Sequence, residues 1–67
     1  MIRIEYPFNV GGMIADRAMW MATENGEVVD YHKKGHLIAM AKKEGKPYQV
    51  IRRHRDGTES IVQEGEG

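Results

Sequence analysis

Two dipeptides, Asn25-Gly26 and Asp56-Gly57, constrain this chain more than any other feature, because each sits between short runs rich in β-branched residues. A two-residue hairpin loop of type I′ needs positive φ at both central positions, which Asn-Gly supplies at least cost. That loop at Asn25-Gly26 predicts Trp20 opposite Tyr31, Ala22 opposite Val29 and Thr23 opposite Val28. A three-residue loop would set Trp20 against Asp30 instead. The first register places Trp20, Ala22, Val29 and Tyr31 on one face, with an aromatic cross-strand pair among them. Met19 and Met21 fall on the other face, where they pack beside Ile4 or offer a soft patch to a partner; core packing is the expectation.

Asp56-Gly57 reads differently. A two-residue loop would oppose Arg52 to Ile61 and Val50 to Gln63, mixing polar and apolar partners. A three-residue loop over Arg55, Asp56 and Gly57, with Gly57 left-handed as a G1 bulge, matches Val50 with Val62, Ile51 with Ile61 and Arg53 with Glu59. The second register is expected. It joins Arg53 to Glu59 in an ion pair and leaves Arg52 and Arg55 free.

Between the hairpins lies a helix. In "GHLIAMAKKE", Gly35 to Glu44, residues Leu37, Met40 and Ala41 share one side with Ile38 at its margin. Gly45 supplies the C-terminal cap, Lys42 and Lys43 complement the macrodipole, and Pro47 forbids continuation. Ahead of the first hairpin, Ile2, Ile4, Tyr6, Phe8 and Val10 alternate with Arg3, Glu5, Pro7 and Asn9, the period of a strand with one buried face. Pro7 lacks an N–H and so places this strand at a sheet edge. Gly11-Gly12 ends it in a turn, and residues 13–21 are compatible with either strand or helix. The expected fold class is α+β: one short helix packed on a mostly antiparallel sheet of four to five strands, in the order β-ββ-α-ββ. Residues 1–63 form a single domain and 64–67, "EGEG", a disordered tail.

A chain of 67 residues without cysteine has no disulfide or thiolate zinc to support it, and a domain this small buries only about 60% of its unfolded surface. Self-association through the edge of the first strand would add burial. No apolar run is long enough to span a bilayer and the N-terminus is not a signal peptide, so a cytoplasmic protein is expected. The formal net charge is zero but uneven. Residues 33–55 hold Lys33, Lys34, Lys42, Lys43, Lys46, Arg52, Arg53 and Arg55 against Glu44. The acids concentrate on either side of that segment.

Chemistry-bearing constellations are sparse. Ser60, Glu59 and His54 are the nearest approach to a nucleophile and base, but Ser60 and Glu59 point to opposite faces of a strand and His54 falls opposite Thr58. His32 and His36 have the spacing of two metal ligands on a helix, yet Gly35 and the helix start intervene, and they read as solvated. Gly11-Gly12 lacks the pattern of a phosphate loop. No enzyme activity, cofactor or metal is expected.

From Trp20 onward, "WMATENGEVVDYHKKGHLIAMAKKEGKPYQVIRRHRDGTESIV" resembles small uncharacterised bacterial and phage domains built as hairpin, helix, hairpin. The shared features are a tryptophan opening the first hairpin, an alanine-containing helix ending in lysines and an Asp-Gly turn closing the second. The resemblance implies a compact non-enzymatic protein of phage or mobile-element origin that binds and inhibits a host protein; it transfers no site residues.

The leading expectation is therefore a non-enzymatic protein-interaction module that meets an acidic protein surface through Arg52, Arg55, Lys42, Lys43 and Lys46. The alternative is a small nucleic-acid-binding regulator using the basic hairpin 50–62. Overall neutrality and the lack of an exposed aromatic pair, with Trp20 and Tyr31 expected to be buried or half-buried, place it second.

Overall fold

A computed structural model describes residues 1–7, 9–10, 13–14 and 19–66, with backbone alone at 9–10 and 13–14. Its elements are β1 (Ile2–Tyr6), β2 (Asn9–Val10), β3 (Met13–Ile14), β4 (Trp20–Glu24), β5 (Glu27–His32), α1 (Lys34–Lys43), β6 (Tyr48–Arg53) and β7 (Glu59–Gly65). Among the described residues five strands form one mixed sheet in the order β5-β4-β1-β6-β7, and β2 pairs with β3 separately. The class is α+β, mostly antiparallel, with β1 and β6 as the parallel pair.

β1 is thus the central strand and not an edge. Its last paired residue is Tyr6, opposite Arg52, so the missing N–H of Pro7 falls one position beyond the ladder and costs it nothing. Phe8 and the Gly11-Gly12 turn lie outside the described residues, as do 15–18 of the segment whose state the sequence left open; Met13–Ile14 and Trp20 onward are strand.

Both hairpins form. Asn25 (φ 54°) and Gly26 (φ 82°) take the left-handed conformation of a two-residue loop, and Thr23 meets Val28 as expected. A bulge then shifts the register, so that Ala22 opposes Asp30, Met21 opposes Tyr31 and Trp20 opposes His32. The expected pairs Trp20–Tyr31 and Ala22–Val29 are not made, because Val29 is the extra residue on β5 and everything beyond it slips by one. In the second hairpin Gly57 has φ 90°, Arg53 opposes Glu59 and Ile51 opposes Ile61. Val50 meets Gln63 instead of Val62, since a second bulge leaves Val62 unmatched. β7 continues to Gly65, bringing two residues of the expected tail into the sheet.

α1 ends as its sequence dictates. Gly45 is left-handed (φ 66°), its N–H donates to the Lys42 carbonyl at 3.1 Å, and the Lys46 N–H donates to the Ala41 carbonyl at 3.0 Å, the paired bonds of a Schellman motif. Leu37 and Ala41 are fully buried; Ile38 and Met40 pack at the margin. They close over Ile2, Ile4, Ala22, Tyr48 and Val50, the residues of β1, β4 and β6 that share the helix-covered face. Burying each of Ile2, Ile4, Leu37 and Val50 contributes roughly 1.5–3 kcal/mol.

Two glycines separate packing from backbone effects. A Cβ at Gly65 would land on the buried Tyr48 ring, whereas a Cβ at Gly35, in the first turn of α1, meets nothing within 4 Å. Gly65→Ala is expected to destabilise by about 1–3 kcal/mol, and Gly35→Ala to stabilise by about 0.4–1 kcal/mol. Urea denaturation of the two variants checks both signs.

Candidate functional site

The strand directions collect chemistry at one end of the sheet. β1 and β6 finish there with Tyr6 and Arg53, β4 begins there with Trp20, β5 finishes with His32 and α1 starts with Lys34. Alternation from Ile4, Ala22 and Val50 places Tyr6, Trp20 and Arg52 on the helix-covered face, just beyond the start of the helix. The Tyr6 and Trp20 rings lie 5.1 Å apart, tilted by 35°. Arg52 Cζ stands 4.8 Å from the Tyr6 ring centre and Lys34 Nζ 5.5 Å from that of Trp20. The four side chains form a row, cation–aromatic–aromatic–cation, across β6, β1, β4 and α1. Both rings are partly buried, so each keeps some surface open to solvent.

This row corrects an expectation. Trp20 does pair with a tyrosine, but with Tyr6 across the β1–β4 ladder instead of Tyr31 within the hairpin, while Tyr31 is 42% exposed on the far face. The signal was present in sequence: if Ile4 opposes Ala22, then Tyr6 and Trp20 meet one step further on. Only the pairing of a strand expected at an edge concealed it.

Beside Trp20 the imidazoles of His32 and His36 stack with centroids 3.7 Å apart and 22° between planes. The helix start, expected to separate them, folds one over the other. The Lys33 N–H donates to His32 Nδ1 at 2.9 Å, and no group of three or more metal-ligating side chains occurs among the described residues.

His54 and Ser60 also come together, with Nε2 and Oγ 2.7 Å apart, although the expected register sets His54 opposite Thr58. The contact closes the base of the turn: His54 N–H donates to the Thr58 carbonyl at 2.9 Å, and Gly57 N–H to the His54 carbonyl at 3.1 Å. Nucleophilic catalysis needs a third group to orient the base. Glu59 projects to the other face and Asp56 is held by the Thr58 N–H and hydroxyl at 2.9 and 2.6 Å. Those two bonds hold the Asp56 carboxyl below its usual range.

The five cationic residues singled out from sequence separate into two groups. Arg52 and Arg55 lie at the aromatic end. Lys42 and Lys43, in the last turn of α1, and Lys46, bonded to Glu24 at 3.0 Å, lie at the other. The ends are about 13 Å apart, four residues of strand from Tyr48 to Arg52. The Lys46 ammonium is raised above its usual value by that hydrogen bond and by the Glu24 charge. A groove of about 350 Å³ opens near this second end, between Met1, Tyr48, Gln49 and Glu64.

Charge segregates with the ends. Lys33, Lys34, Arg52 and Arg55 stand against Asp56 at the aromatic end, with Asp30 midway along β5, two residues before His32. Lys42, Lys43 and Lys46 stand against Glu24, Glu27, Glu44, Glu64 and Glu66 at the other. Asp16 and Arg17 lie outside the described residues.

On the face away from the helix, Arg3, Glu5, Arg53 and Glu59 close a neutral ring. Arg3 Nη2 donates to Glu5 Oε1 at 3.0 Å and to Glu59 Oε2 at 2.9 Å; Arg53 donates to Glu5 Oε1 at 2.7 Å and to Glu59 Oε2 at 3.3 Å. The Thr23 hydroxyl reaches Glu5 Oε2 at 3.4 Å. Glu5 is 3% exposed, so its charge is tolerable only because two guanidinium groups meet it there. The expected Arg53–Glu59 pair is one side of this ring. Hydrogen bonding with Glu5 and then with Glu59 raises Arg3, and Arg3 ahead of Arg53 holds Glu59 below its usual range.

Comparison with protein-family models, with curated protein sequences and with solved structures returned no match. Among the described residues no helix is long and apolar enough to cross a membrane.

Burial orders the ring's members. Glu5→Gln is expected to destabilise by about 2 kcal/mol or more, since it leaves two arginines facing a neutral amide at a dry position; Glu59→Gln, at the wet side, should cost less. Glu59 and Asp56 both have depressed folded-state values. Their contribution is present above the unfolded carboxylate range, about pH 4, and is lost as pH falls through the lower folded values. Thermal melts between about pH 5 and pH 2 should show a shallower acid loss in Glu59→Gln than in the unmodified protein.

Proposed function

We propose that this protein is a non-enzymatic nucleic-acid-binding module whose contact surface is the basic end of the sheet. The observation that carries the reading is the charge separation along the strands. A neutral total argues against a polyanionic ligand only where acids lie within reach of the same phosphates. Here the carboxylates of Glu24, Glu27, Glu44, Glu64 and Glu66 sit about 13 Å away, beyond the roughly 8 Å Debye length of physiological salt; Asp30 is nearer, about 7 Å along β5 from His32. Arg52 and Lys34 have no carboxylate hydrogen bond among the described residues and rest on aromatic faces. Asp56 stays an anion at this end, its carboxyl held low by the bonds from Thr58, and Lys33, Lys34, Arg52 and Arg55 outnumber it. The contact group is Lys33, Lys34, Arg52 and Arg55; Lys42, Lys43 and Lys46 are outside it.

A second reading, the protein-interaction module of phage or mobile-element type, draws on the opposite face. Val28 at 46% and Ile61 at 54% exposure, with Tyr31, flank the neutral Arg3–Glu5–Arg53–Glu59 ring. Exposed apolar side chains around a self-neutralised centre fit a protein surface better than a phosphate backbone. A second copy fits less well. β1, the edge expected to receive it, is central, and both real edge strands carry bulges, which disfavour edge-to-edge pairing.

Affinity for a random oligonucleotide, measured by fluorescence anisotropy from about 50 to about 200 mM salt, separates the readings. Arg52→Ala with Arg55→Ala should reduce the slope of log affinity against log salt by about 1 to 2. Lys42→Ala with Lys43→Ala should leave it unchanged. Equal losses in the two double variants would contradict the assignment of the contact end. No binding by the folded protein at the lowest salt would remove the nucleic-acid reading and leave the protein-interaction one.

A further inference from the structure

We infer that the Tyr6–Trp20 pair is a base-stacking platform and that the ligand class is single-stranded nucleic acid; this rests on the basic end being a phosphate-binding surface. Cations alone hold duplex and single strand alike. What distinguishes a single strand is that its unstacked bases present π-faces, which aromatic side chains receive at a gain independent of sequence. The basic end has such side chains in the correct relation to its charges. Tyr6 and Trp20 are 5.1 Å apart on neighbouring central strands, and Arg52 and Lys34 bracket them. From β6 to β4 the row spans about 10 Å, two inter-strand spacings, enough for at least two nucleotides whose phosphates lie to either side.

The present partners of the two cations fit this use. An arginine paired with a carboxylate would have to break that pair to bind phosphate. Arg52 and Lys34 lie instead against ring faces, so swinging outward to a phosphate uncovers the surface a base would occupy. The stacked imidazoles of His32 and His36, with His32 directly opposite Trp20 in the ladder, extend the π-surface beyond the tryptophan. The ion ring on the opposite face has no part in this site: its arginines are engaged by Glu5 and Glu59.

Trp20 is the sole tryptophan of the chain and so reports on its own site. The unmodified protein is titrated with oligodeoxythymidine of about ten nucleotides and, separately, with a blunt duplex, following tryptophan emission and the anisotropy of a label on the nucleic acid. The inference requires that the single strand bind more tightly than the duplex and quench or shift Trp20 emission. Tyr6→Leu should weaken single-strand binding about tenfold at an unchanged salt slope, and Tyr6→Phe, which keeps the ring, should bind as the unmodified protein does. Equal affinity for the two forms without any change in Trp20 emission would overturn the stacking platform while leaving the phosphate-binding end in place. Absence of binding to either form would overturn both.

Discussion

The parallel pairing of β1 with β6 is the constraint on which the rest of this molecule depends. It joins Ile2–Tyr6 to Tyr48–Arg53 across more than forty intervening residues and makes the first strand the middle of the sheet. Once β1 is central, both its faces are covered. Ile2 and Ile4 must meet the helix on one side, and Glu5 must be neutralised on the other. The same register brings Tyr6 level with Arg52, and the β1–β4 ladder carries Trp20 alongside. Core, ion ring and aromatic row are three consequences of one strand's position.

The two faces carry different chemistry. Arg3 and Arg53 are held on the face away from the helix by Glu5 and Glu59, which leaves the neighbouring residue Arg52, pointing the other way, as a cation without an acidic partner among the described residues. Strand alternation thus divides the run "RRHR" between the two faces of the sheet. Among the described residues most acids are bound into the ring or lie at the foot of the sheet, with Asp30 midway and Asp56 alone at the basic end.

Much of the local structure was legible in the sequence because particular residues demand particular backbone. Asn25, Gly26, Gly45 and Gly57 all take positive φ, the first two and Gly57 at turns read from their dipeptides and Gly45 at the cap read from its place after the helix. The helix and its buried side followed from Leu37 and Ala41 at four-residue spacing. The two bulges did not follow, because an unmatched residue such as Val29 or Val62 differs from its neighbours in nothing but its pairing. Nor did the central place of β1, where Pro7 pointed to an edge: whether a proline lies within a ladder or one step past it depends on a long-range partner. Misplacing β1 hid the Tyr6–Trp20 contact. A charged Glu5 within the alternating strand, with arginines at 3 and 53, was the available sign that both faces would be buried.

Ligand recognition is proposed at the end of the sheet where β1, β4 and β6 align Tyr6, Trp20 and Arg52. Amide chemical-shift mapping during titration with a short single-stranded oligonucleotide tests it most directly, since every element reports at once. Shifts are expected at Tyr6, Trp20, His32 to His36 and Arg52 to Arg55, with Lys42 to Lys46, Val28 and Ile61 unmoved. Shifts centred on Val28, Tyr31 and Ile61, or on the lysines at the end of α1, would contradict it.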